Sequence, residues 1–130
     1  MNAESLLPKD KFDDSNLEMI SKLTDEQIRP IILQLLEWLQ DYNYPIADGI
    51  LQILIAKQNL VIPYLSDILN GNNVMWKIWI MNLLIPKLSY NNRTQFKKII
   101  ERLSLQTEQD EDTIEIVNCA KECLERCYEE

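Results

Sequence analysis

Apolar residues recur along the chain at spacings of three and four, the pattern of helices that bury one face. The clearest pair lies in residues 35–54, LLEWLQDYNYPIADGILQIL, where a polar corner at 41–44 separates two such faces. Pro45 follows the corner. We expect it in the first turn of the second helix, because an amide there has no partner within its own helix. The pattern predicts a helical hairpin.

Capping residues indicate where other helices begin. Thr24 and Gln27 have the spacing of a capping box, in which each side chain bonds the other residue's backbone amide. Ser15 should cap a shorter helix before it. Two later helices each have two candidate caps, Asn72 or Asn73 and Thr107 or Asp110.

Proline and glycine should shape the same helices. Pro30 should kink or restart the helix that Thr24 begins, and Gly71 should end a helix in the left-handed conformation. These signals predict seven or eight helices and no strand. The expected spans are 16–23, 24–40, 45–57, 60–69, 74–84, 93–103 and a last helix that runs close to the C-terminus.

The order of the helices contains a repeat. Residues 30–36 align with 63–69 at an offset of 33, and residues 50–55 align with 80–85 at an offset of 30. Residues 93–103 and the last helix would make a third, more divergent pair. Helical pairs that recur at about 30 to 40 residues are typical of stacked solenoids. We therefore predict an all-α protein with a single domain, residues 1–130, built as a HEAT/ARM-like α-α superhelix.

Composition limits the chemistry that the chain can perform. It contains no histidine, which removes the commonest general base and metal ligand. Its two glycines are isolated, so no glycine-rich phosphate loop can form. We expect no cofactor and no metal site. Three cysteines, Cys119, Cys123 and Cys127, share one face of the last helix, where we expect reduced, buried thiols.

Charge is concentrated near the C-terminus. Residues 105–130 contain 2 Lys/Arg and 9 Asp/Glu, so they carry −7 of the total −8. An acidic chain is poorly suited to a phosphate backbone, and we expect no nucleic-acid partner. There is no basic start with an apolar run behind it, and no stretch of about 18 apolar residues. We expect a cytoplasmic protein with no membrane contact.

Aromatic residues near two helix ends form the predicted partner surface, because Trp and Tyr dominate binding hot spots. The candidates are Trp38, Asp41, Tyr42, Tyr44, Trp76 and Lys77. Trp76 and Trp79 share a helical face, so we expect one to pack in the core and the other to be exposed.

Three carboxylates offer an alternative at the same corner. Glu37 and Asp41 would be one helical turn apart, with Asp48 on the next helix and Trp38 beside them. A carboxyl held against an indole can have a raised pKa, which suits a carboxylate-based enzyme or a small-molecule binder. The other interpretation is a solvated helix face with no chemistry.

Three segments carry a resemblance to a known family: LLPKDK at 6–11, LLEWLQDYNYPIA at 35–47 and WKIW at 76–79. On these segments nearly the whole chain resembles an uncharacterised bacterial domain family, classed as a domain of unknown function with a HEAT-like helical fold. The resemblance implies an α-solenoid and no assigned activity, so it supplies no functional residues. A histidine often follows the KDK segment in that family, and Phe12 stands there in this chain.

These observations favour binding over catalysis. We predict a non-catalytic protein-protein interaction module, with a protein partner that the sequence does not identify. One specific version is an immunity or antitoxin-like protein that inhibits a basic partner, because the C-terminal segment is so acidic.

Overall fold

The computed structural model describes residues 3–41 and 45–128. Every element in these two ranges is helical, and neither contains a strand, which confirms the predicted all-α class. The α-helices are α1 Leu17–Ser21, α2 Asp25–Ile28, α3 Ile32–Glu37, α4 Ala47–Ala56, α5 Gln58–Asn70, α6 Val74–Trp79, α7 Tyr90–Arg93, α8 Lys97–Ser104 and α9 Glu111–Tyr128. Tighter 3-10 turns are Ala3–Leu6, Arg29–Ile31, Trp38–Gln40, Ile85–Lys87 and Thr94–Phe96, and Ile80–Leu84 is a π-helix. None of these helices is long and apolar enough to cross a membrane.

The chain divides into two compact units, residues 1–64 and 65–130. In the first unit, α4 packs against both α1 and α3. Gly49 on α4 allows α1 to come close, since a Cβ atom at this position would lie 2.8 Å from Leu17 Cδ1. The apolar faces of α3 and α4 are buried, with Leu35, Leu36 and Leu54 fully enclosed. The predicted pairing of these two helices is therefore confirmed.

Helix α2 begins with the expected capping box. The Gln27 amide donates to Thr24 Oγ1 at 3.2 Å, and the Thr24 amide donates to Gln27 Oε1 at 3.0 Å. Pro30 then lies in a 3-10 turn, and α3 starts afresh at Ile32. The two local predictions for this segment are confirmed.

The end of α3 differs from the expectation of one continuous helix to Gln40. The α-helix ends at Glu37, a 3-10 turn follows, and Asp41 is extended at φ −140° and ψ 103°. Most of the predicted corner, including Tyr42 and Tyr44, lies outside the described residues. Pro45 precedes Ile46, the N-cap of α4, so its predicted place in the first helical turn is wrong.

Two other local predictions are wrong. Ser15 does not cap α1, whose N-cap is Asn16 without a side-chain bond; the Ser15 hydroxyl donates to Asp13 instead. Gly71 does not adopt positive φ. Its amide donates to the Ile68 carbonyl at 3.1 Å, so a 3-10-type bond ends α5 and no left-handed residue is needed.

In the second unit, α9 is the central element. It packs along α8 and also against α6, the π-helix and the 3-10 turn Ile85–Lys87. Its buried face includes Cys123 and Cys127, while Cys119 is half-buried, and all three thiols are free. The sequence left two candidate caps for each of α6 and α9, and in the structure the caps are Asn73 and Asp110.

Arg93 fastens the C-terminal end of α9. Its Nε donates to the Cys127 carbonyl at 3.1 Å, and a terminal guanidinium nitrogen donates to the Leu88 carbonyl at 3.3 Å. The Tyr128 hydroxyl donates back to the Arg93 carbonyl. A cation at this end of α9 also interacts favourably with the negative end of the helix dipole.

The two repeat segments differ in local structure. Pro30 lies in a 3-10 turn between two helices, whereas Pro63 lies inside the continuous helix α5. Residues 50–55 are α-helical, whereas most of residues 80–85 form the π-helix. The apolar positions nevertheless match in burial, because Leu35 and Leu36 and their counterparts 33 positions later are all buried.

Candidate binding groove at Trp38

A groove of about 380 Å³ lies beside the C-terminal end of α3. It is lined by Leu7, Pro8, Gln34, Glu37, Trp38 and Gln40. These residues come from the first two segments that carry the family resemblance, apart from Gln34, which immediately precedes the second. The groove therefore lies entirely within the first unit, residues 1–64.

Core packing brings the two walls of the groove together. The 3-10 turn Ala3–Leu6 buries Ala3 and Leu6 and packs against the turn Arg29–Ile31, which starts α3. A backbone bond from the Ile46 amide to the Lys11 carbonyl, at 3.3 Å, joins the same N-terminal segment to the start of α4. Leu7 and Pro8 are thereby held next to the solvent-facing side of α3.

The solvent-facing side of α3 supplies the polar wall. Leu35 and Leu36 point into the core, so Gln34 and Glu37 fall on the exposed side, and Trp38, which also lines the groove, is half-buried. Within the described ranges the Glu37 carboxylate makes no hydrogen bond or ion pair. None of the six lining residues is a lysine or an arginine. The groove thus combines one negative charge, two amides and an indole.

The three predicted carboxylates do not converge here. Asp41 is half-buried and Asp48 is exposed in the first turn of α4, and neither lines the groove that Glu37 enters. The prediction that Glu37 and Asp41 lie one helical turn apart is wrong, because α3 ends at Glu37. A carboxylate at the position of Asp48 is favourable near a helix N-terminus without any chemical role. Among the described residues, no group of acidic residues and cysteines could hold a metal ion.

The second predicted aromatic surface is also different from the expectation. Trp76 and Trp79 are both half-buried, rather than one buried and one exposed. Lys77 between them is only 9 % exposed, and burial lowers the pKa of its ammonium group. Its aliphatic stem is packed against the protein, as long cationic side chains often are. Lys77 is therefore less exposed than an interface cation at this position was expected to be.

The acidic run at residues 108–112 is exposed throughout and serves the start of α9. Asp110 Oδ1 accepts from the Thr113 amide at 2.9 Å, and this bond lowers the pKa of the Asp110 carboxyl. A wider depression of about 580 Å³ lies nearby, and Lys98, Arg102 and Glu101 are among its lining residues. Both basic and acidic side chains line this depression, so it does not favour a ligand of one charge over the other.

Residues 6–124 match the family model described as a domain of unknown function (DUF5071). The chain belongs to this family. The match spans most of the 130 residues, and the DUF5071 region contains all six residues of the Trp38 groove. No curated protein matches the chain.

Sequence reasoning found Glu37 and Trp38 but missed four of the residues around them. Gln34 and Gln40 were not singled out because their spacing matters only once the end of α3 is known. Leu7 and Pro8 are distant in sequence, and only the packing of the first 3-10 turn brings them to the groove. The resemblance of both segments to one family was the available signal.

Proposed function

We propose that this DUF5071 protein is a non-catalytic protein-binding module of the cytoplasm, and that the Trp38 groove is part of its contact surface. The observation that supports the proposal is a half-buried indole that lines a groove with apolar and polar walls. Tryptophan is enriched at binding hot spots because it buries a large apolar ring and keeps one polar group at the edge.

The lining of the groove supports binding rather than carboxylate chemistry. Acid-base catalysis by two carboxyl groups needs both within reach of one substrate. Glu37 is the one titratable side chain in the described lining. No cofactor or metal enters the proposal.

A HEAT-like stack of hairpins remains part of the proposal. Within each unit a helical pair packs closely, α3 with α4 and α8 with α9. The spacing of the sequence repeat supports the idea that such pairs continue one another, which would extend the surface open to a partner.

The test is affinity capture from the native host's lysate with three matched baits: wild type, Trp38→Ala and Leu33→Ala. Leu33 is also apolar and exposed on α3, but it does not line the groove. We expect wild type and Leu33→Ala to retain one protein at near-stoichiometric amounts, and Trp38→Ala to retain at least tenfold less. Trp38→Phe, which preserves an aromatic ring, should retain an intermediate amount and controls for loss of folding.

Two results would contradict the proposal. One is that no protein is retained by wild type at more than trace amounts. The other is that Trp38→Ala, shown by circular dichroism to be folded, retains as much partner as Leu33→Ala does.

The immunity or antitoxin-like version has a separate test. All five residues of the run 108–112 are exposed, so they could steer a basic partner. Neutralising Glu108, Glu111 and Asp112 while keeping the Asp110 cap should slow association in low salt. An unchanged association rate would refute this version and leave the Trp38 groove unaffected.

A further inference from the structure

We infer that the Trp38 groove binds the side chain of a lysine or arginine from the partner protein. This inference rests on the proposed function and names the chemistry of its contact. Three features of the first unit support it: an unpaired carboxylate, an indole beside it and an excess of negative charge.

The Glu37 carboxylate gives the groove a negative charge. Glu37 is exposed, and its oxygens accept no hydrogen bond and form no ion pair in the part of the chain that the structure describes. None of the lining residues that the structure describes is basic, so none of them neutralises this carboxylate. An acidic or phosphorylated segment would be repelled here, whereas an ammonium or guanidinium group would gain an ion pair.

The other walls suit the remaining parts of a basic side chain. Tryptophan is the best of the aromatic residues at attracting a cation over its ring face. Gln34 offers an amide oxygen that can accept from an N–H group. Leu7 and Pro8 offer an apolar wall for the methylene stem. A volume of about 380 Å³ accommodates one such side chain.

The surrounding unit would also attract a basic segment. Residues 1–64 contain 5 Lys/Arg and 10 Asp/Glu, which gives a net charge of −5. Complementary charge raises the rate of association and disfavours partners of the same sign. Residues 1–104 taken together are nearly neutral, because the excess of basic residues in 65–104 offsets the negative charge of residues 1–64.

The experiment follows the indole N–H signals of ¹⁵N-labelled protein by NMR during titration with N-acetyl-arginine amide. The chain has three tryptophans, so three signals are expected, each assigned by a Trp→Phe variant. The neutral isostere N-acetyl-citrulline amide is the matched control, since it keeps the shape and removes the charge. We expect a saturable shift of the Trp38 signal with the arginine probe and at least a threefold weaker response with citrulline.

Two variants test the role of the carboxylate. Glu37→Gln should lower the affinity for the arginine probe by about two- to fivefold, the size expected for an exposed ion pair. Glu26→Gln removes another exposed carboxylate charge, on α2 and outside the groove, and should leave the affinity unchanged. Equal responses to arginine and citrulline, equal effects of the two variants, or shifts confined to Trp76 and Trp79 would each overturn the inference.

The outcomes separate this inference from the proposed function. If partner capture depends on Trp38 but the groove does not distinguish arginine from citrulline, protein binding stands and the cationic contact fails. If arginine binds at Trp38 but Trp38→Ala still captures the partner, the proposed function of the groove fails instead. Binding of free spermidine with no gain from an arginine-containing peptide would indicate a small-molecule site and overturn the assignment to a protein side chain.

Discussion

Replacing Arg93 by methionine should destabilise the second unit far more than loss of an exposed cation such as Lys98. The guanidinium donates two hydrogen bonds to backbone carbonyls, those of Cys127 and Leu88, and its carbon lies 5.3 Å from the centre of the Tyr90 ring. Methionine keeps much of the apolar stem but removes both donors. These two carbonyls, which belong to buried residues, would then lose their charged partner.

The magnitude follows from these two bonds. A hydrogen bond from a charged group contributes about 1.5–3 kcal/mol, and the lower end applies because Arg93 is half-buried and one bond is long at 3.3 Å. Loss of the favourable interaction with the α9 dipole adds up to about 1 kcal/mol. We expect a decrease of about 3–4 kcal/mol in the free energy of unfolding. For a chain of this length that corresponds to roughly 10 °C in melting temperature.

The measurement is urea denaturation followed by far-UV circular dichroism, with two companion variants. Lys98→Met removes an exposed cation from α8 that makes no bond among the described residues, and it should cost less than about 0.5 kcal/mol. Arg93→Lys keeps the charge but lacks the fork that reaches both carbonyls, so its effect should be intermediate. A cost for Arg93→Met no larger than that of Lys98→Met would refute the reasoning.

Other predictions concern the core, the stability of the protein at acidic pH and the reactivity of the thiols. Leu35→Ala should cost about 2–5 kcal/mol, because this side chain is fully buried, whereas exposed Leu33→Ala should cost under about 0.5 kcal/mol in the same urea assay. The lowered pKa of Asp110 means that the stability contributed by its charge is complete above its ordinary pKa and is lost as pH falls through the lower folded value. Asp110→Asn keeps the cap, so its stability deficit against wild type should be constant above about pH 5 and should shrink as pH falls below about 4. Burial raises the pKa of the Cys119 and Cys123 thiols, so the native protein should react slowly with a thiol reagent near pH 8. Half-buried Cys119 should react first. Mass spectrometry measures the labelling of each cysteine, and fast labelling of all three at equal rates would contradict this prediction.

Three helix starts follow from local signals, although Ser15 and Pro45 were assigned wrongly and two of the three caps were predicted only as one of two candidates. The Thr24 capping box and the Asn73 and Asp110 caps each depend on a side chain and an amide three positions away, and sequence contains that relation directly. Helix ends were predicted less well, because several different interactions can satisfy the last carbonyl groups of a helix. Gly71 is the example: its small size suggested a left-handed residue, yet a 3-10-type bond ends α5.

Tertiary contacts explain the remaining differences. Nothing in the sequence pairs Arg93 with a carbonyl 34 positions away, and its role depends on where α9 ends. Pro63 was expected to mark a repeat of Pro30, but α5 continues through it. Pro63 lies inside α5 and is exposed to solvent.

The chemistry of the Trp38 groove follows from a small change in helical winding. A spacing of 3.6 residues places Asp41 over Glu37, and that spacing suggested paired carboxylates. The turn Trp38–Gln40 is a 3-10 helix, which has about three residues per turn, so the side chain that aligns with Glu37 is the one three positions on. Gln34, Glu37 and Gln40 therefore form one row along the groove, and extended Asp41 leaves it. A ligand at this row meets a single carboxylate between two amides beside an indole, which is an arrangement for holding a cation rather than for transferring a proton between two acids.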